Sequence, residues 1–271
     1  MLNKISFTGT FLALVTLTGA NVALAYEVMD VANGGTISGK VVLKGKALTA
    51  KSFKVEKTPE VCGKEDRVLQ EVRTDGGGLA DVVLVLQGVK KGKPYAAEVS
   101  IDGPPPGKRT QKGSNGKEFP GTTIKPKECI FGAFTGVVAQ GKLFRFKNMD
   151  PVKHSPHTYA VKGRVRKSMF NLDLEGDSTL DVPVKFKKKK TKVVKLECDQ
   201  HNHMQNWFYR VDSPYYAFSG KGGSFKIDGI PPGKYKLIAW HPKFKKTLKK
   251  KVTIKAGGKV DAGFTFKSKV K

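Results

Sequence analysis

Four of the five histidines of this chain fall in two short segments, Asn148-Met-Asp-Pro-Val-Lys-His154-Ser-Pro-His157 and Cys198-Asp-Gln-His201-Asn-His203-Met204. Both have the look of ligand sites. A thiolate, imidazoles and a thioether form a soft N2S2 donor set, suited to copper cycling between Cu(I) and Cu(II). Two imidazoles and one thiolate define a trigonal plane, and a weak axial thioether destabilises Cu(II) relative to Cu(I). Such a set takes one ligand from a separate segment and three from one loop, which is the arrangement offered here.

The elements that must position these groups read as β-structure. Val194, Leu196 and Cys198 share one parity, opposite Val193, Lys195 and Glu197, so a strand ends at the thiol with its sulfur turned inward. His201 and Met204 then follow in the loop that leaves it. The same alternation runs through Thr36–Leu43, and through Phe144 and Phe146 against Arg145 and Lys147. After Asp81 the chain is continuously apolar to Leu86, hence a buried strand. Ser224–Ile227 and Lys234–Trp240 flank Asp228-Gly-Ile-Pro-Pro-Gly233, which predicts a hairpin. Gly103-Pro-Pro-Pro-Gly107 and the polar run that follows mark 101–127 as an exposed loop or linker, and Lys187–Lys190 as a hairpin tip. The fold class is all-β, antiparallel and sandwich-like.

Lys4, the mostly apolar Ile5–Ala20 and the small residues of Ala23-Leu24-Ala25 predict a signal peptide over 1–25. The mature protein is then periplasmic or secreted, with no transmembrane span after cleavage, in a compartment where disulfides persist. Of the three cysteines, Cys62 and Cys129 can pair with each other and leave Cys198 free. Lys and Arg number 50 against 23 Asp and Glu, a formal charge of +27. That field attracts acidic proteins and anionic cell-surface polymers, while export argues against nucleic acid. No Gly-x-Ser-x-Gly elbow, Ser-His-Asp pattern or pair of carboxylates stands out, so no enzyme is expected. Asp173, Glu175 and Asp177 lack the downstream Glu of a calcium loop and read as a solvated turn.

With these residues in view, 128–210 resembles a cupredoxin of the amicyanin and plastocyanin kind. The spacing Cys198-x-x-His201-x-x-Met204 is similar to the short amicyanin ligand loop. The resemblance implies that the remote ligand is His154, within Lys153-His-Ser-Pro-His157, and so a type 1-like copper held by His154, Cys198, His201 and Met204. Ser155 stands where the family commonly has an Asn that ties the two ligand loops together. Asp199-Gln200 and Asn202-His203 stand where amicyanin loops carry prolines. These departures leave His157 and His203 as alternative ligands or as groups behind the ligands.

The wider chain resembles exported methylamine-utilisation-like proteins, which join a cupredoxin-like segment to a carboxypeptidase-regulatory-like, transthyretin-like sandwich. The resemblance rests on Gly35-Thr-Ile-Ser-Gly-Lys-Val-Val42, Glu60-Val-Cys-Gly63, Asp212-Ser-Pro-Tyr-Tyr216, Gly223–Tyr235 and Trp240-His-Pro242. It implies two sandwiches: a cupredoxin Greek key over 128–210, and a regulatory-like unit in which 33–100 packs with 211–268. The implied function is single-electron transfer, with His201 as the exit nearest the surface and an acidic cytochrome or dehydrogenase as partner. The alternative is a non-enzymatic module that binds an anionic polymer or stores copper, with a degenerate site.

Overall fold

A computed structural model describes residues 26–96, 98–102, 108–112, 121–186 and 191–268. The predicted signal peptide, Gly103–Gly107 and the Lys187–Lys190 run lie outside the described residues. The fold is all-β and built of packed sheets, with a single α-helical turn at Pro59–Cys62 among those residues. No helix in them is long and apolar enough to cross a membrane.

The first and last parts of the chain share one sandwich. One sheet runs Tyr216–Phe218, Val83–Gln87, Gly233–Trp240, Leu248–Ile254. The other is organised on Gly35–Lys44, which pairs with Ser224–Ile230 and, in parallel, with Lys259–Asp261 and Phe264–Lys267. Ile37, Val41, Leu84, Leu86 and Leu237 meet in the core between them. Val83 and Val85 point the other way, into a cluster shared with Val137, Tyr209 and Val211 of the second sandwich. Burial on both faces is why this strand lacks polar alternation.

The second sandwich holds the two histidine segments. Its sheets run Lys108–Lys112, Glu98–Asp102, Gly121–Lys125, Leu143–Lys147, Thr179–Pro183, and Thr135–Ala139, Gln205–Val211, Val193–Cys198, Pro156–Lys162, Val165–Asn171. Phe144, Phe146, Leu196 and Phe208 fill the space between.

Three expectations are corrected. First, 101–127 is not simply an exposed loop: Gly121–Lys125 is the middle strand of its sheet, and Gly121–Ile124 are buried. Its threonines look like linker residues but are strong strand formers, and Thr122 Oγ1 donates to the Val137 carbonyl at 2.6 Å. Gly121 has φ 131°, and a Cβ there would lie 1.7 Å from the Leu143 carbonyl oxygen. The second sandwich therefore begins near Glu98, not at 128. Second, the 224–240 segment is no hairpin. Ser224–Ile230 pairs with Gly35–Lys44, whereas Gly233–Trp240 pairs with Val83–Gln87 and Leu248–Ile254. Pro231 and Pro232 have no N–H to close a two-strand ladder, and the turn carries the chain from one sheet to the other. Third, the pairing is mixed, since Gly121–Lys125 lies parallel to both its neighbours and Thr135–Ala139 lies parallel to Gln205–Val211.

Residues 51–69 leave the first sandwich as well. Lys51–Phe53 pairs with Arg67–Leu69, and Cys62 belongs to the core of the second sandwich. Cys62 and Cys129 form a disulfide with Cα atoms 5.1 Å apart.

Candidate metal centre

The Val193–Cys198 strand is buried at every second residue, at Val194, Leu196 and Cys198, so the thiol faces the interior. The chain then turns tightly. Cys198 N–H donates to the Met204 carbonyl at 3.1 Å, and Met204 N–H to that of His201 at 3.0 Å. His154 is fixed by a two-way bridge to Leu174, with both N–H···O distances 2.9 Å. The Pro156–Lys162 strand that follows pairs Pro156 with Cys198, which brings the two segments to one end of the sandwich.

Ser155 ties the two ligand segments together through both its backbone and its hydroxyl. Its N–H points at Cys198 Sγ (3.4 Å), and its carbonyl accepts from Asp199 N–H (3.0 Å). Its hydroxyl accepts from Gln200 Nε2 (3.3 Å).

Three donor atoms converge. His154 Nδ1 and His201 Nδ1 lie 3.3 Å apart, and Cys198 Sγ lies 4.0 Å from the first and 3.7 Å from the second. The point equidistant from all three is about 2.1 Å from each, matching the roughly 2.0–2.3 Å that imidazole nitrogen and thiolate sulfur keep from a late first-row metal ion. The donor set thus fits one such ion. Two other groups of close donors, Cys62/Cys129/His201 and Cys129/Asp150/His154, contain disulfide sulfurs, which offer no thiolate, and so keep fewer than three donors each. Met204 is 1% exposed and packs in the same apolar cluster as Cys198, Phe131 and Phe208.

The electrostatics favour a ready thiolate. Burial alone would raise the Cys198 pKa. Hydrogen bonds from the two imidazoles and from the Ser155 and Gln200 backbone outweigh it and bring the value down to about 6. Burial likewise pulls His154 down, but Asp150 and the Cys198 sulfur lift it to about 8. His203 is held down to about 4, chiefly by burial.

The remaining histidines do other things. His203 donates from Nε2 to the Cys129 carbonyl at 3.0 Å, and its ring centre lies 5.9 Å from that of His201. His157 is not brought to the site. On the outer face of its strand it stacks on Tyr159, with Nδ1 3.2 Å from Asp199 and Nε2 3.0 Å from Ser168 Oγ.

Two groups behind the ligands escaped the sequence reading. Asp150, 3% exposed, places Oδ2 2.9 Å from His154 Nε2. Thr58 Oγ1 lies 3.0 Å from His201 Nε2 and 3.1 Å from Cys62 Sγ. The Asp150-to-His154 step of four residues was visible in the sequence; nothing local links Thr58 to a histidine 143 positions away. The segment carrying Thr58 also covers the expected exit. His201 is 4% exposed, beneath a flap from which Lys54, Glu56 and Lys57 line the cavity over the ligand loop. Lys57 Nζ reaches Gln200 Oε1 at 2.9 Å.

A sequence family described as polysaccharide lyase family 4, domain II, matches residues 189–262. No curated protein matches the sequence significantly. Similar solved structures include a reduced Cu(I) form of an amicyanin mutant: 9% identity, 32% of this chain and 79% of that chain, TM-score 0.26. A purple cupredoxin from Nitrosopumilus maritimus is 15% identical over 28% of this chain and 77% of its own, TM-score 0.23. A copper-containing nitrite reductase from Thermus scotoductus is 14% identical over 44% of this chain and 30% of its own, TM-score 0.27.

Proposed function

We propose that this chain is an exported, non-enzymatic protein that holds one copper ion and carries single electrons between redox partners. The observation that carries the reading is the triangle of His154 Nδ1, Cys198 Sγ and His201 Nδ1, drawn from two segments, buried, and spaced for one ion. In this reading Met204 is the fourth, weak donor.

Copper bound there supplies a one-electron Cu(II)/Cu(I) couple. The protein's share is to keep Cys198 ionised, to hold both rings through their outer nitrogens, and to exclude water. His154, Cys198, His201 and Met204 are each at most 4% exposed. Backbone hydrogen bonds fix the thiolate, and strands fix the rings, so little rearrangement opposes a change of charge at their centre.

The formal charge of +27 favours an acidic redox protein as partner. A partner approaching His201 meets the flap first, with Lys54 and Lys57 on its rim. Voltammetry of the copper-loaded protein should give one reversible one-electron wave, absent in Cys198→Ser. Electron exchange with an acidic cytochrome should slow steeply as salt is added. A wave that survives the substitution, or an exchange rate indifferent to salt, contradicts the reading.

A further inference from the structure

The two imidazoles of the triangle are held from behind by chemically different groups. His201 Nε2 meets a neutral hydroxyl, that of Thr58. His154 Nε2 meets a carboxylate, that of Asp150, in a pocket where Asp150 is 3% and His154 0% exposed. The carboxylate is itself built in. Oδ1 accepts the Glu128 N–H at 2.6 Å, Oδ2 accepts the Cys129 N–H at 2.9 Å, and the Asp150 N–H donates to Asn148 Oδ1 at 3.1 Å. Glu128 and Cys129 both have positive φ (52° and 55°), a turn that aims two successive N–H groups at one side chain.

From this geometry we infer that Asp150 is a positioning and charge-setting residue: it fixes His154 in the Nε2–H tautomer and places a buried negative charge behind the ligand, favouring Cu(II) over Cu(I). The inference rests on the copper reading above. An ionised carboxylate can only accept, so Nε2 carries the hydrogen, and in the neutral ring that ligates a metal Nδ1 is the atom left with a lone pair towards Cys198 and His201. A carboxylate behind a histidine also makes it a more basic ligand, and the attraction between that charge and the ion grows with the ion's own charge. Thr58 fixes a ring without this bias.

The test compares Cu(II) and Cu(I) affinities of wild type, Asp150→Asn and Thr58→Val. Removing such a partner commonly costs about 10–100-fold in metal affinity. Asp150→Asn should lose at least tenfold on Cu(II) and under threefold on Cu(I), with the reduction potential rising by about 59 mV for each tenfold of difference. Thr58→Val should weaken both states in parallel. Equal losses for the two states in Asp150→Asn, or no loss, would overturn the inference. If that variant does not fold, NMR of the Cu(I)-loaded wild type decides: a slowly exchanging His154 Nε2–H proton supports it, and an Nδ1–H tautomer overturns it. Should wild type bind no copper through Cys198, the copper reading fails instead, and the two failures are distinct.

Discussion

The two sandwiches share a layer architecture but use their interiors differently. The core of the first is built from Ile37, Val41, Leu84, Leu86, Leu237 and similar side chains, and its main buried charge, Asp81, sits at the margin against Arg73 at 2.6 Å. The second buries Asn148, Asp150, His154, Ser155, His201 and His203 at one end, and each is hydrogen-bonded. Desolvating polar groups is unfavourable unless every one is satisfied, and a satisfied network specifies one arrangement. The first sandwich is thus a body held by burial, while the second gives up apolar volume to hold a defined set of donors. The flap and the disulfide both attach to the second.

This contrast can be broken in several ways. The largest effect should follow Cys62→Ser with Cys129→Ser. Opening a loop closed over 67 positions should cost about 4 kcal/mol in a chain-entropy account. Metal affinity should fall as well, because Thr58 and the Cys129 N–H lose their anchorage. Calorimetry with metal titration checks both, and a loss of stability with unchanged affinity would detach the disulfide from the site.

Arg73→Ala should come next. It takes the guanidinium away from the buried Asp81 carboxylate and should destabilise the protein by about 3 kcal/mol, the low end for a broken buried pair because Arg73 is partly exposed. Copper affinity of the folded protein should not change, and a change would mean that the two sandwiches are coupled through the Asp81 region. Thr58→Ala should be milder, about 1 kcal/mol of stability for one hydrogen bond. The smallest effect is a titration. Ultraviolet absorbance of the metal-free protein should show the Cys198 thiolate persisting down to a midpoint near pH 6, against about 8.5 for an ordinary thiol. A midpoint near 8.5 would remove the two imidazoles from its surroundings.

Much of this contrast was legible in the chain itself. Period-two burial placed Cys198 inward at the end of its strand, and the spacing of His201 and Met204 marked the loop. His154 needed the family resemblance, because no local rule says which remote histidine meets a given thiol. What could not be read was partnership at long range. Gly121-Thr-Thr-Ile looks polar until it is seen between two strands. Pro231-Pro232 looks like a hairpin turn until its flanking strands are found in different sheets. The flap that buries His201 depends on a disulfide and on Thr58, neither of which is near it in sequence.

The central claim is that Cys198 and the two histidines around it hold copper. Its most direct test is the visible absorption and EPR spectrum of the protein after one equivalent of Cu(II), beside Cys198→Ser. An intense blue or green thiolate-to-copper band that disappears in the variant is the predicted result. A colourless protein, or a band indifferent to Cys198, would contradict it.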